Sequence, residues 1–93
     1  MAPTFEWNPT KAAANLKRHG VSFDEAATTF QDPLARLHDD PGHSVAERRE
    51  VIVGHSSQGR LLLVCFTHRG STIRLISARP ATRRERRDYE EAK

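Results

Sequence analysis

Apolar positions along this 93-residue chain follow two periods, one helical and one extended, and the switch between them falls near Leu34. Thr4-Phe5-Glu6-Trp7 alternates polar and aromatic side chains and is stopped by Asn8-Pro9, the pattern of a short strand followed by an N-cap with proline at the first helical position. Good helix formers then carry a helix over residues 9–19, with Gly20 as its stop and His19 placed to interact with the dipole at its C-terminus. Ser22-Phe23-Asp24-Glu25 reads as a capping box, in which serine caps the Glu25 amide, the Glu25 carboxylate reaches back, and Val21 staples onto Ala26. Phe23, Ala26, Ala27 and Phe30 stand at i, i+3, i+4 and i+7, so a second helix presents one apolar face until Asp32-Pro33 ends it.

Beyond Leu34 the period is two. Leu34-Ala35-Arg36-Leu37-His38 fits a strand, and the turn formers of residues 39–44 fit an exposed loop. Three stronger strands follow over residues 50–55, 60–67 and 72–79, separated by Ser56-Ser57-Gln58-Gly59 and His68-Arg69-Gly70-Ser71, both short enough for hairpins. The expected product is an antiparallel meander. Its middle member, Leu61-Leu62-Leu63-Val64-Cys65-Phe66, is apolar on both faces, which calls for helices on one side and a second cover, such as another chain, on the other. Thr82-Arg83-Arg84-Glu85 is a second capping box and opens a helix to about residue 92, on which Tyr89 is the only large apolar side chain. Such a helix packs weakly by itself. The pattern predicts an α+β fold of two N-terminal helices, an antiparallel sheet and a C-terminal helix, in a single domain over residues 1–93.

Charge sharpens this picture locally. Net charge is only +3, with twelve acidic residues, but arginine outnumbers lysine twelve to three and six arginines fall between Arg74 and Arg87. A guanidinium fork binds phosphate oxygens in pairs and stacks on bases, so a nucleic-acid phosphate is the first ligand to consider. Against this, Arg84 with Asp88, Arg86 with Glu90 and Arg87 with Glu91 stand at i, i+4 and can close ion pairs that leave a merely solvated helix. Arg74 and Arg79 belong to a strand with opposite parity, which places them on opposite sides of the sheet. Cys65, the single cysteine, excludes an intrachain disulfide and reads as a small buried hydrophobe. No apolar stretch approaches a membrane span and no leader pattern opens the chain, so the cytoplasm is the expected address.

The run His38-Asp39-Asp40-Pro41-Gly42-His43 contains metal-ligand side chains, but they share one loop without a second cluster to complete a shell, and the reading is a polar loop with no metal. His55 and Arg60 flank the Ser56-to-Gly59 loop and can project from one hairpin end toward the same space, with Glu47, Arg48 and Arg49 one strand end away. This is the best acid–base cluster in the chain. No Ser-His-Asp spacing, P-loop or dinucleotide glycine pattern is present, which disfavours hydrolysis through a covalent intermediate.

Phe5-Glu6-Trp7-Asn8-Pro9, Lys11, Asn15 and the run from Arg18 to Ala26 resemble the opening of the BrnT toxins, members of the RelE-like ribonuclease superfamily. Phe30-Gln31-Asp32-Pro33, Glu47-Arg48, Val53-Gly54, Arg74-Leu75-Ile76-Ser77-Ala78-Arg79, Glu85 and Tyr89 continue the likeness in order over nearly the whole chain, with Asn8 and Arg18 as departures that keep a cap and a charge. The resemblance implies a bacterial type II toxin that cleaves RNA without cofactor or metal and is held inactive in a hetero-oligomer with a DNA-binding, BrnA-like antitoxin, through which operator DNA is contacted. It also implies 2′-hydroxyl attack on the phosphodiester, with Arg79 as phosphate stabiliser, His55 or Glu47 as the proton-transfer group, and Arg48, Arg60 and Arg74 as RNA-positioning cations. Beside it stand a non-catalytic nucleic-acid- or protein-binding module within a repressor complex, and an enzyme that has lost activity and acts only as an interaction partner.

Overall fold

Backbone hydrogen bonding in the computed structural model, which describes residues 3–40 and 48–91, gives strand β1 (Thr4–Glu6), helix α1 (Pro9–His19), helix α2 (Phe23–Ala27) running into a 3₁₀ turn (Thr28–Gln31), strands β2 (Arg36–Asp39), β3 (Arg49–His55), β4 (Leu61–Arg69) and β5 (Thr72–Pro80), and helix α3 (Arg83–Glu91). The α+β expectation holds, with one addition. The sheet order is β1-β5-β4-β3-β2, and while β2 to β5 pair antiparallel, β1 lies parallel to β5, so the sheet is mixed.

Local chemistry explains the helix ends. Asn8 Oδ1 accepts from the Lys11 N–H at 3.1 Å and Pro9 sits where an amide hydrogen would go unused. Gly20, at φ 70°, turns left-handed and donates to the Leu16 carbonyl at 2.8 Å, closing α1. α2 is shorter than its apolar period predicts. Thr28 and Thr29 donate their hydroxyls to the carbonyls of Glu25 (2.6 Å) and Ala26 (2.7 Å), which favours tightening into the 3₁₀ turn before Asp32-Pro33. The capping box at Ser22 is only half formed: its Oγ accepts the Glu25 N–H at 3.0 Å, but the Glu25 carboxylate is drawn instead to Ser56 and Arg60.

One face of the sheet is covered by the α1–α2 segment. Val21, Phe23 and Ala26 pack there on Ile52, Leu62, Val64, Phe66, Ile73, Leu75 and Ala78, with Phe30 edge-on to Phe66. Gly54 lets this cover close, since a Cβ there would stand 3.0 Å from the Ala35 Cβ and 3.1 Å from the Thr29 carbonyl oxygen. The opposite face is partly roofed by α3, whose Tyr89 is buried against Val53 and Leu61. The exposed large apolar side chains among the described residues are Leu16, Leu34 and Leu37, away from the middle strand. None of the described helices is long and apolar enough to cross a membrane.

Candidate nucleic-acid interface

Strand register sets Arg36, Val53, Leu63 and Arg79 in one row across the face roofed by α3, His38, Val51, Cys65 and Ser77 in the next, and Arg49, Thr67 and Arg74 in a third. Arg74 and Arg79 therefore share a face, contrary to what their odd sequence separation predicts. The cause is a bulge: Cys65 pairs with Ser77 but Phe66 pairs with Leu75, so Ile76 is an extra residue that resets the alternation. The result is a sheet face rich in arginine.

Arg79 is seated on a braced strand. Past Glu6, β1 no longer covers the edge of β5, and the Asn15 side chain replaces it, donating to the carbonyls of Ala78 (2.9 Å) and Val21 (3.0 Å) and accepting the Ala78 N–H at 3.0 Å. From this anchor the Arg79 guanidinium donates two parallel bonds of 2.8 Å to the carboxylate oxygens of Glu85, and a third to the Pro80 carbonyl at 3.2 Å. Glu85 is also the third helical residue of a complete capping box, since its N–H donates to Thr82 Oγ1 at 3.1 Å and its Oε1 accepts the Thr82 N–H at 2.9 Å. The Arg79 bonds hold the Glu85 carboxyl below the usual carboxylate range against the opposing effect of burial, and the same pair raises the pKa of Arg79. Glu85 thus takes one edge of the guanidinium, and the fork left for a phosphodiester is the other, made by Nε–H and the second Nη2–H.

One turn further along α3, Tyr89 reaches His55. The Tyr89 hydroxyl donates to Asp32 Oδ2 at 2.7 Å and lies 3.2 Å from His55 Nδ1, while the same Asp32 oxygen accepts the His55 backbone N–H at 2.8 Å. Having given its hydrogen to Asp32, the hydroxyl can only accept from Nδ1–H, which leaves Nε2 of a neutral ring with a free lone pair. Burial pushes the Asp32 carboxyl up, but the bonds from His55 N–H, Leu34 N–H and Tyr89 OH outweigh it and hold the group ionised below the carboxylate range. Burial first, then the bond to Asp32, drives the Tyr89 hydroxyl up to about 12. His55 is 41% exposed and opens on a shallow polar depression that Thr28, Gln31 and Ser57 also line. From His55 to Arg79 is two strand spacings and one pleat repeat, about 12 Å between Cα atoms, a gap two long side chains can close on one ligand.

The remaining candidates divide. Arg60 sits at the same hairpin end as His55 but turns to the other side, donating from Nε (2.9 Å) and Nη2 to the Glu25 carboxylate and from Nη2 to the Gly20 carbonyl at 3.0 Å. The expected meeting of His55 and Arg60 in one space does not occur. Ser56 completes Arg60's network with a 2.7 Å bond to Glu25, whose carboxyl is lowered by Arg60 first and by Ser56, against burial. Arg48 is exposed and pairs with Asp39 at 3.0 Å on the side opposite Arg79. Arg74 shares the face of Arg79, with its Nη1 2.7 Å from Glu6 Oε2. Glu47, like His43 of the histidine- and aspartate-rich run, lies outside the described residues. Within that run His38 and Asp39 point to opposite faces, and Asp40 accepts from the buried Cys65 thiol, at 3.7 Å, which burial pushes up to about 11.

The helical arginines resolve the other way from their i, i+4 spacing. Arg83, Arg84, Arg86 and Arg87 are exposed, and none closes an ion pair with Asp88, Glu90 or Glu91 among the described residues. Sequence reasoning missed Asp32 and Tyr89 as the groups that orient His55. Their signals were the place of both residues in the family likeness and Tyr89 itself, one large side chain on an otherwise charged helix.

A family model described as "ribonuclease toxin, BrnT, of type II toxin-antitoxin system" matches residues 7–85. Among solved structures, the fold is similar to that of the Brucella abortus ribonuclease toxin BrnT, with a TM-score of 0.66 and 21% identity over 87% of this chain and 99% of that one. No curated protein matches the chain.

Proposed function

Because the chain belongs to the BrnT family of type II ribonuclease toxins, we propose that it is an endoribonuclease that cleaves RNA without a metal ion, with His55 and Arg79 as the reacting pair on the α3-roofed face. Membership implies RNA as substrate and an antitoxin as partner. His55 Nε2 takes the proton of a ribose 2′-hydroxyl, the freed oxygen attacks the adjacent phosphorus, and the Arg79 fork holds the non-bridging oxygens as charge builds on the phosphorane. The bond from phosphorus to the 5′-oxygen breaks, leaving a 2′,3′-cyclic phosphate. The departing oxygen takes a proton, for which Glu47 is the sequence candidate. DNA has no 2′-hydroxyl and is not cut.

The observation that carries this reading is α3 holding both groups from one helix face, Tyr89 fixing the tautomer of His55 and Glu85 pre-setting the fork of Arg79. Arg74 shares that face and acts as a positioning cation. Arg48 and Arg60 remain candidates only at its margins, since both guanidinium groups bond acidic partners elsewhere. We further propose a RelE-like fold acting as one domain over residues 1–93, in the cytoplasm, and a BrnA-like antitoxin that covers the arginine-rich face and reaches operator DNA itself.

Purified protein incubated with a defined transcript in excess chelator tests the mechanism. Fragments ending in cyclic phosphate, and resistance of a transcript carrying a single 2′-deoxy substitution at the cut site, are expected. Binding with a steep salt dependence and no turnover would instead support the repressor module.

A further inference from the structure

Beside Arg79, between α3 and the sheet, lies a cleft of about 230 Å³ that the cleavage chemistry above does not use. We propose that it is a guanine subsite that seats the base of the nucleotide next to the scissile phosphate, a reading that rests on RNA being the substrate. Val51, Val53 and Leu63 make an apolar floor and Tyr89 a wall, a surface suited to the flat face of a base. Arg36 on β2 and Asp88 on α3 stand on its rim. His38 and Glu85 also line it, the Glu85 carboxylate being taken up by Arg79 and the Thr82 N–H, whereas Arg36 and Asp88 make no ion pair or side-chain hydrogen bond among the described residues and face the cleft with their bonding capacity open.

Guanine matches that pair. It is the one RNA base that sets two N–H donors side by side, N1–H and N2–H, where one carboxylate can accept both, and it offers O6 and N7 together to a guanidinium. Adenine would turn an acceptor, N1, toward Asp88. Uracil flanks its N3–H with two carbonyl oxygens, and cytosine sets its N3 lone pair beside the N4 amine, so a carboxylate meets an acceptor on either base. The position suits the chemistry too: Val53 and Arg79 are two strands apart in one row, about 10 Å, the span from a base to a phosphate of its own or the neighbouring nucleotide.

Fluorescence anisotropy with short 2′-fluoro oligoribonucleotides, which bind but lack the attacking hydroxyl, tests the subsite on the full chain. Oligonucleotides differing at one position should bind in the order guanine, inosine, adenine, with about 5- to 10-fold lost on removing the N2 amine and about 10- to 100-fold lost for adenine. Asp88→Asn should bring guanine and inosine together, and this exposed substitution leaves the core intact. Equal affinities in the wild type, no measurable binding of any of the three, or a guanine preference unchanged in both Asp88→Asn and Arg36→Gln would overturn the proposal. These ligands cannot be cut, so the outcome is separable from catalysis. A protein that prefers guanine here yet never cleaves unmodified RNA keeps the subsite and loses the ribonuclease mechanism, whereas cleavage without base preference loses the subsite alone.

Discussion

At the scale of single residues, what separates Arg79 and His55 from the other candidate side chains is how each is held. Arg79 is fixed by a bidentate carboxylate, and Glu85 is itself anchored by two bonds with Thr82. Arg79→Ala is expected to lower the cleavage rate on the order of 10²- to 10³-fold with only a small fall in melting temperature, since the ion pair it removes is partly exposed, and lysine, without the fork, to restore only part of the rate. Full activity in a folded Arg79→Ala protein would refute the assignment. Tyr89→Phe keeps the ring against Val53 and Leu61 but removes the hydroxyl between Asp32 and His55. It should lower the rate and alter the pH–rate profile while stability falls by about 1.5 to 3 kcal/mol, the usual worth of a bond to a charged group. A purely structural Tyr89 would leave the profile unmoved. That His55 ends a hairpin strand and Arg79 stands near the end of β5 was legible in the sequence because strand and hairpin ends are visible there; the Asp32–Tyr89 link joins the end of α2's 3₁₀ turn to the last helix, and no local pattern announces it.

Elements matter here because two devices set where β5 points. Asn15 sits on a helix whose other described residues are mostly exposed, and its amide fills both hydrogen-bonding positions of Ala78 on an edge that β1 is too short to reach. Replacing it by alanine leaves the buried Ala78 N–H and two carbonyls without partners, so we expect a loss of about 3 kcal/mol in urea unfolding and faster amide exchange at Ala78. Asn15→Asp should be nearly as damaging, since a carboxylate offers no donor to the Ala78 and Val21 carbonyls. An unchanged urea midpoint in both variants would rule out this bracing role. The helix period, both hairpins and the Thr82 box were readable from spacing alone. The bulge was not: Leu75-Ile76 broke strict alternation, but two adjacent apolar residues fit a strand buried on both sides equally well, and only the register shows that Arg74 and Arg79 share a face.

Over the whole molecule, carboxylates tie separate elements together. Glu25 of α2 holds Arg60 and Ser56 at the β3–β4 turn, Asp32 holds His55 of β3 and Tyr89 of α3, and Glu85 holds Arg79 of β5. The parallel placement of β1 beside β5 belongs to this scale as well, and a three-residue strand carries too little pattern to reveal its partner. All three carboxyls titrate below their ordinary values of 4.5, 3.8 and 4.5. A depressed folded-state pKa means that the unfolded chain binds the proton more readily, so the stability these groups contribute is complete above the ordinary values and is lost as pH falls through the folded ones. The urea midpoint should thus be nearly flat from about pH 7 to pH 5 on account of these groups and fall steeply below about pH 4.5. Glu25 is the sharpest probe, being 3% exposed and bonded to both Arg60 and Ser56. Glu25→Gln should lower the midpoint at pH 7 and flatten the acid limb, because its share of the proton linkage is gone. A wild-type midpoint that holds constant between pH 7 and pH 3, or an acid limb equally steep in Glu25→Gln, would show that these ion pairs do not hold the elements together.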